Sequence, residues 1–266
     1  MRRSPSASLA MEVARAAQRR GAARLLVLDV DGTLAPIAPT PGEARVPKAT
    51  LDALHGLVRL GWSIVVVSGR PAEEARRMVP VPGVRVFGSH GLERPRARGR
   101  HVALAPRIRR RLALLAAAGA RLASGIDGAC VESKPAGVAF HDRTIPRPGL
   151  ARWRRGVREL LAASDLAGLE VIRGHRVVEV RPEGVHKGTV LDAAGRLPAK
   201  GKPDPSLVAL GDDRTDEDLF RAIGGRGLGV RVGRSRLATH ATRRLPSPRA
   251  VLRFLEQVVE ASRGER

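Results

Sequence analysis

Short apolar runs alternate along the chain with longer segments whose apolar residues recur at helical spacing. LLVL at 25–28, WSIVVVS at 62–68 and SLVAL at 206–210 are such runs, and polar or glycine residues follow each of them. Continuous apolar runs of this length are typical of strands buried on both faces of a parallel sheet. Helical spacing is found at 8–23 and in KATLDALHGLVRLG, which ends at glycine. With the helical segment PAEEARRMV and the strand-like GVRVFGSHG that follow the second run, the N-terminal part predicts a β-α-β-α-β order.

The pattern changes in the middle of the chain. A segment rich in arginine, alanine and leucine at about 105–123 predicts a helix, and two strand-like runs, GACVESK and GVAFHDRT, follow it. A second helical segment at about 149–163 precedes LEVIRGHRVVEVRP, which predicts a hairpin that turns at Gly174 and His175. This α-β-β-α-β-β order indicates a small antiparallel sheet with helices on one face.

The first pattern resumes after Gly184 and ends with a predicted helix at 248–262. Alternating strands and helices build a doubly wound sheet. The sequence thus predicts an α/β fold with a doubly wound, Rossmann-like parallel-sheet core and an inserted α+β cap domain. The predicted core occupies 1–103 and 184–266, and the predicted cap occupies 104–183.

Two aspartates, Asp29 and Asp31, stand directly after the first predicted strand, in LLVLDVDGTLAP. Open α/β sheets bind ligands in the crevice at the carboxyl ends of their strands. Two neighbouring carboxylates raise the pKa of one of them unless a cation balances their charge. The pair therefore fits a hard-metal site or a nucleophile beside a general acid. A simple Asp-Gly turn is the alternative.

Three further segments place polar side chains where the same crevice would form. Ser68 ends the second strand and could hold an anion or cap the next helix. Lys187 opens the first helix after the insertion, where its charge opposes the helix dipole unless an anion is near; a solvated lysine is the alternative. Asp212, Asp213 and Asp216 follow an apolar strand, which fits a hard cation as well as helix capping.

The charge of the chain is strongly positive, with 48 Lys and Arg against 26 Asp and Glu, a net charge of +22. Such a charge invites a nucleic-acid interpretation. However, the arginines are scattered, aromatic residues make up only 2%, and no zinc-finger, RRM or helix-turn-helix signature is present. We expect a basic face that attracts anions in general and no nucleic-acid partner.

The remaining composition indicates a cytoplasmic protein without a membrane partner. No apolar stretch approaches the roughly 20 residues that a membrane span needs. The single cysteine, Cys130, excludes an internal disulfide, and a free cysteine in a strand is expected to be buried.

The motifs together resemble the haloacid dehalogenase superfamily, which has Asp-x-Asp-Gly-Thr, a strand-end Ser, a Lys and Gly-Asp-x-x-x-Asp in this order. The resemblance implies that Asp29 is a nucleophile and Asp31 a general acid/base in phosphoryl transfer. It also implies a Mg²⁺ ion that binds Asp29, Asp31 and Asp212. The remaining implied residues are Asp213 and Asp216 beside the metal, Ser68 and Lys187 on the phosphoryl oxygens, and Gly32 and Thr33 near the phosphate.

Five segments, VVVSGRP, GSHGLE, ESKPAGVAFHDR, VEVRPEGVHKG and LGDDRTDEDLF, resemble the trehalose-6-phosphate phosphatase family more narrowly. This resemblance implies hydrolysis of trehalose 6-phosphate to trehalose and phosphate. The implied substrate-binding residues are Arg70, Ser89, His90, Gly91, Glu93, Glu132, Lys134, His141, Arg143 and Glu179.

Three positions depart from the family pattern: Val30, Asp142 and His186 stand where Tyr, Tyr and Asn are usual. We expect Asp142 to alter the polar face of the inserted sheet and His186 to alter the surroundings of Lys187. Another sugar phosphate, such as sucrose 6-phosphate or mannosyl-3-phosphoglycerate, is the first alternative substrate. A phosphosugar mutase and a basic nucleic-acid-binding module are further alternatives. A trehalose-6-phosphate synthase is a candidate partner.

Overall fold

The computed structural model describes residues 5–94, 104–134, 137–174, 176–194, 197–199, 201–235 and 237–263. The helices within these residues are α1 (Pro5–Ala17), α2 (Lys48–Arg59), α3 (Ala72–Met78), α4 (Pro106–Ala123), α5 (Arg147–Ala162), α6 (Val190–Ala194), α7 (Glu217–Ile223) and α8 (Pro248–Arg263). The strands are β1 (Leu25–Leu28), β2 (Ser63–Val67), β3 (Val84–Phe87), β4 (Cys130–Lys134), β5 (Gly137–His141), β6 (Leu169–Gly174), β7 (Val177–Pro182), β8 (Leu207–Gly211), β9 (Leu228–Val232) and β10 (Arg243–Leu245).

A parallel sheet with the strand order β10-β9-β8-β1-β2-β3 forms the larger part of the structure. In β1, Leu26 and Leu28 pack against a core that includes side chains of α1, α2 and α8, whereas Leu25 and Val27 pack against side chains of α6 and α7. Helices therefore cover both faces of the sheet, and the predicted doubly wound fold is confirmed. The apolar runs are continuous because both faces of these strands are buried.

A second, antiparallel sheet has the order β4-β5-β7-β6 and carries α4 and α5 on one face. Its core contains Val138, Phe140 and Val180 from the sheet and Trp153 from α5. The rings of Phe140 and Trp153 lie 6.4 Å apart between centroids, a distance at which aromatic pairs stabilise a core beyond the area they bury. The predicted hairpin is confirmed by the pairing of β6 with β7, although His175 lies outside the described residues.

The residues gather into two compact units, Met1–Ala97 with His186–Arg266, and Arg98–Val185. The limits of the insertion at 104 and 183 remain a prediction from the sequence. Residues 95–103, beside the first limit, lie outside the described part of the chain. None of the helices in the described part combines the length and the apolar character that crossing a membrane requires.

Some predicted details were wrong for reasons that the structure makes clear. The first helix spans Pro5–Ala17 and not 8–23, and Gly21 in the following turn has a left-handed φ of 77°. Strand β10 was missed because Arg243–Leu245 is a short edge strand with a single buried residue. Cys130 is exposed because β4 is also an edge strand. The last helix extends one residue beyond the predicted 248–262, since α8 continues to Arg263.

Gly119 in α4 offers a test of packing in the second unit. A Cβ atom there would lie 2.6 Å from Cε1 of the buried Phe140 and 3.3 Å from both Val131 methyls. Overpacking a core costs about 1–3 kcal/mol, whereas replacing a helical glycine by alanine gains about 1 kcal/mol of helix propensity. We expect Gly119→Ala to lower the free energy of unfolding by about 1 kcal/mol net, measured by urea denaturation followed by circular dichroism.

Gly56→Ala in α2 is the matched control, because its Cβ would meet only Val259 at an ordinary 3.4 Å. This variant keeps the propensity gain without the overlap, so its unfolding free energy should rise or stay unchanged. Equal stabilisation by both substitutions would contradict the packing argument.

Candidate active site

A buried lysine joins two carboxylates at the carboxyl end of the parallel sheet. Nζ of Lys187 donates hydrogen bonds to Oδ1 of Asp29 at 2.5 Å and to Oδ1 of Asp216 at 2.7 Å. Asp29 follows β1, Asp216 ends the 3-10 turn Arg214–Asp216 after β8, and Lys187 begins the 3-10 turn Lys187–Thr189. All three side chains are buried, with exposures of 6% or less. Three separate segments of sequence therefore meet in one charged cluster.

Asp216 also fixes the loop after β8. Its second oxygen, Oδ2, accepts hydrogen bonds from the backbone N–H groups of Asp212 and Asp213, both at 3.0 Å. A Cβ on Gly211 would lie 2.2 Å from Cγ of Asp216, so only glycine leaves room for this carboxylate. Asp216 thus couples Lys187 to the backbone that carries Asp212.

The same cluster has the donors that a hard divalent cation requires. Carboxylate oxygens of Asp29, Asp212 and Asp216 lie within 4.8 Å of one another. Gly32 has a φ of 83°, and a Cβ there would overlap Oδ2 of Asp212 at 2.1 Å, so the turn after β1 closes directly over the Asp212 carboxylate. Oxygen donors of this kind are those that Mg²⁺ prefers, and the residues fit such an ion. The side chains of Asp31 and Asp213 are not part of this group.

The charges in the cluster are not balanced by Lys187 alone. Burial raises the pKa of Asp29 well above its usual range, with Lys187 opposing the rise and Asp216 and Asp212 adding to it. Burial, and then the charge of Asp216, raises the pKa of Asp212 to about 7. Burial alone would lower the pKa of Lys187, but Asp216 and Asp29 outweigh it and raise that pKa. An additional cation would relieve the excess negative charge.

Asp31 is held by an arginine. Nε and Nη2 of Arg70 donate to the two carboxylate oxygens of Asp31 at 2.6 and 2.7 Å, and Nη1 donates to Glu74 in α3. Burial tends to lower the pKa of Arg70, but Asp31 and Glu74 raise it above its usual value. Arg70, predicted to bind substrate, is thus engaged by protein carboxylates in this structure, and a two-pronged contact of this kind fixes the orientation of Asp31.

Ser68 and Thr33 are both buried near these strand ends. β1 pairs with both β2 and β8, so Ser68, Asp29 and Asp212 follow three neighbouring parallel strands at one edge of the sheet. Oγ of Ser68 accepts the backbone N–H of Arg70 at 3.1 Å and does not cap α3. Oγ1 of Thr33 is buried without a hydrogen-bond partner among the described residues. A buried hydroxyl of this kind is costly unless a ligand or water satisfies it.

The GSHGLE segment forms a loop with unusual backbone geometry. Ser89, His90 and Gly91 have left-handed φ values of 47°, 56° and 99°. Such conformations are uncommon for residues other than glycine and are concentrated at functional sites. The His90 ring packs against Gly69, where a Cβ would approach it to 2.8 Å, and Gly91 lies against Thr189 beside Lys187. The loop therefore lies against the turn that carries Lys187.

Glu93 has a structural contact in this loop. Its carboxylate accepts the hydroxyl of Ser89 and the backbone N–H of Ala72 at the start of α3. These bonds tie the loop to α3 and occupy both of the oxygens of Glu93.

The second unit brings four of the predicted substrate-binding side chains together on the face of its sheet opposite α4 and α5. Oε2 of Glu132 lies 3.0 Å from Nε2 of His141, and Nζ of Lys134 lies 3.3 Å from Oε1 of Glu179 and 3.9 Å from Glu132. The hydrogen bond with His141 holds the pKa of Glu132 below its usual range, against the effect of burial. The cluster is a connected network of acids and bases.

Arg143 and Asp142 differ from their predictions. Strand β5 ends at His141, so Arg143 is an exposed turn residue and does not continue the polar strand face. Asp142 does not alter that face, because its buried carboxylate pairs with Arg154 of α5 at 2.8 Å and with Arg176 at 2.6 Å. An aspartate fits here because two arginines compensate its charge.

The other two departures also leave the strand-end cluster intact. Val30 lies in the hydrophobic core. The backbone carbonyl of His186 accepts the N–H and the hydroxyl of Thr189, which closes the turn that begins at Lys187.

Two residues that contact the candidate site were not predicted. Glu74 lies four residues after Arg70 in sequence, a spacing that could have indicated their ion pair. Arg231 donates to the backbone carbonyl of Asp213 at 3.0 Å. A single charged residue in the apolar run LGVRV was the available signal.

Known proteins resemble this chain over most of its length. The family model described as trehalose-phosphatase matches residues 27–248. A trehalose-phosphate phosphatase of Mycobacterium tuberculosis is 33% identical over 88% of this chain and 61% of its own length. An uncharacterized glycosyl hydrolase of the same species is 38% identical over 87% of this chain, but the chain spans only 18% of it.

A solved structure shows the same fold. The C-terminal domain of C. albicans trehalose-6-phosphate phosphatase superposes with a TM-score of 0.78 at 24% identity, over 96% of both chains. Because the family model covers residues 27–248 of a sequence of 266, this chain belongs to the trehalose-phosphatase family.

Proposed function

We propose that this protein hydrolyses trehalose 6-phosphate to trehalose and phosphate, with Mg²⁺ as cofactor and an aspartyl-phosphate intermediate. The buried contact of Lys187 with Asp29 and Asp216 is the observation that carries the proposal. A carboxylate at a strand end, next to a fixed ammonium group and further carboxylates, suits phosphoryl transfer in a member of this family.

Asp29 and Asp212 are the side chains that would hold the ion, together with the backbone carbonyl of Asp31. Asp216 would act indirectly, because its oxygens already accept hydrogen bonds from Lys187 and from the loop backbone. Asp213 would support the same loop. When bound, Mg²⁺ supplies positive charge that offsets the repulsion between a carboxylate and an anionic phosphate.

The reaction proceeds in two displacements at phosphorus. A carboxylate oxygen of Asp29 bonds to phosphorus as the bond to the sugar oxygen breaks, and Asp31 gives its proton to that oxygen. Asp31 then takes a proton from water, the water oxygen bonds to phosphorus, and the Asp29–phosphorus bond breaks to release phosphate. Arg70 donates one hydrogen bond to each oxygen of Asp31, and each oxygen keeps a second lone pair at which a proton can be exchanged.

Lys187, Ser68 and Thr33 would stabilise the phosphoryl oxygens. Lys187 is already fixed by two carboxylates, so its charge needs little rearrangement during reaction. The buried, unpartnered hydroxyl of Thr33 is a hydrogen-bond donor available to a phosphate oxygen. Gly32 permits the close backbone approach that this requires.

Sugar recognition is assigned to the polar sheet face and to the GSHGLE loop. Glu132, Lys134, His141 and Glu179 combine donors and acceptors in one network, which suits the many hydroxyl groups of a disaccharide. His90 and Gly91 are the proposed contacts from the loop, and Arg143 is a proposed contact from its exposed turn. Specificity for trehalose 6-phosphate over other sugar phosphates is part of the proposal.

We also propose a cytoplasmic location and a trehalose-6-phosphate synthase as the source of substrate. A sugar phosphate carries charge that opposes its passage through a membrane, so production and hydrolysis belong in one compartment.

Phosphate release from a panel of substrates tests the nucleophile and the sugar together. The panel contains trehalose 6-phosphate, sucrose 6-phosphate, glucose 6-phosphate, mannose 6-phosphate and mannosyl-3-phosphoglycerate, each with Mg²⁺. We expect strong preference for trehalose 6-phosphate, and loss of activity by on the order of 10³-fold or more in Asp29→Asn. EDTA should abolish the activity.

Asp52→Asn is the control variant, because Asp52 is an exposed aspartate of α2 that pairs with Lys48 at 2.7 Å, and it should retain activity. Preference for another sugar phosphate would overturn the sugar assignment and keep the role of Asp29. Retained activity in Asp29→Asn would overturn the mechanism. The absence of metal-dependent turnover would favour nucleic-acid binding, recognised by its strong dependence on salt.

Lys134→Met tests the polar sheet face. Removing a charged donor to a sugar hydroxyl costs about 1.5–3 kcal/mol, so we expect KM for trehalose 6-phosphate to rise by about tenfold or more, with a smaller change in kcat. Steady-state kinetics provide the measurement. Ser133→Ala is the control, since Ser133 lies on the same strand with its side chain on the opposite face. Equal KM values in the two variants would argue against this site.

Stability of the metal-free protein should depend on pH through Asp29 and Asp212. Their raised pKa values, about 7 for Asp212, mean that the folded state keeps protons that the unfolded chain releases above about pH 4. We therefore expect the unfolding free energy in EDTA to fall as the pH rises from about 4 to 7. Urea denaturation at several pH values should show a shallower fall for Asp212→Asn, and identical slopes would contradict this.

A further inference from the structure

Arg231 is a buried charge inside the parallel sheet. It lies in β9, whose five residues are all buried, and its side chain is 6% exposed. Val230 and Val232 pack into the core with α1 and α8, so Arg231 points to the opposite face, where α7 lies. A guanidinium group in such a position is costly to desolvate unless its partners are well placed.

The partners of Arg231 belong to the loop that carries Asp212. Nη1 of Arg231 donates to the backbone carbonyl of Asp213 at 3.0 Å and to Oε1 of Glu217 at 2.9 Å. Glu217 is fixed in turn, because its Oε2 accepts the backbone N–H of His240 at 2.8 Å. The arginine therefore links the loop, the start of α7 and the segment before β10.

Both backbone polar groups of Asp213 are therefore hydrogen-bonded. Its N–H donates to Asp216 at 3.0 Å, and its carbonyl accepts from Arg231. The N–H of Asp212 also donates to Asp216. These bonds restrain the backbone on either side of the Asp212 carboxylate, which is a member of the candidate cation cluster.

We infer that Arg231 is a positioning residue that holds the Asp212–Asp213 segment in the geometry needed to bind a divalent cation. This inference rests on the metal site of the proposed function, and it concerns a residue that contacts none of the three clustered carboxylates through a hydrogen bond. Partners that orient metal ligands typically account for about 10–100-fold in metal affinity.

The charge of Arg231 alone has two consequences that must be separated from positioning. A positive charge near the cluster repels a cation, so its removal would tighten binding. It also lowers the pKa of Asp212, against the larger effects of burial and Asp216, so its removal would favour protonation of Asp212 and weaken binding near neutral pH. The second consequence disappears at high pH, whereas a loss of positioning does not.

Calorimetric titration with Mg²⁺ in the absence of substrate tests the inference. We expect Arg231→Met to bind Mg²⁺ about 10–100-fold more weakly than the wild type, with a deficit that persists at pH 9, where Asp212 is ionised. Arg231→Lys keeps the charge on a shorter side chain and should show an intermediate affinity. Circular dichroism establishes that each variant is folded. If Arg231→Met does not fold, the comparison is made with Arg231→Lys alone.

Arg243→Met is the matched control. Arg243 lies on the neighbouring strand β10 opposite Val230 and pairs with Glu12 at 3.0 Å, so its loss should leave Mg²⁺ affinity unchanged. Wild-type affinity in folded Arg231→Met, or a deficit that vanishes at pH 9, would overturn the positioning role. Failure of the wild-type protein to bind Mg²⁺ would instead overturn the metal site of the proposed function, and the inference with it.

Discussion

The buried ion contacts of Lys187 are the constraint on which the rest of the site depends. One ammonium group holds Asp29 after β1 and Asp216 after β8. It thereby links these two carboxylates to the turn Lys187–Thr189. The cost of burying these charges is offset only while all of them are together. The loop at 211–216 is held by the Asp216 carboxylate that Lys187 binds, and the negative charge that Lys187 does not balance suits a cation.

Two arginines fix further parts of the site through buried charged contacts of the same kind. Arg70 fixes Asp31 with two hydrogen bonds, and Arg231 fixes the backbone of Asp213 from inside the sheet. In both cases a cation is buried or half-buried because it has carboxylate and carbonyl partners. The sheet thus supplies rigid strand ends, and charged contacts between neighbouring segments set the direction of each functional side chain.

The parts of this structure that local sequence determines were predicted. Apolar runs predicted β1, β2 and β8, and the residues directly after them include Asp29, Ser68 and Asp212, which share one edge of the sheet. Contacts between distant segments were not accessible in the same way. The pairing of Asp142 with Arg154 and Arg176, the pairing of Arg231 with Glu217, and the left-handed φ values at Ser89 and His90 depend on packing. Edge positions were also missed, because β10 and Cys130 lack the apolar environment that marks an inner strand.

The sequence separation within the Lys187 cluster has a consequence for biosynthesis. Asp29 and Lys187 are 158 residues apart, and β1 pairs with β8 from Leu25 opposite Leu207. During translation, β1 leaves the ribosome long before its central partner strand exists, and the carboxylate of Asp29 has no ammonium group to meet. Contacts of such separation close late and slow the folding of a chain. The second unit, whose strands pair within Cys130–Pro182, has all of its pairing partners earlier, so the nascent chain completes that unit before the charged cluster.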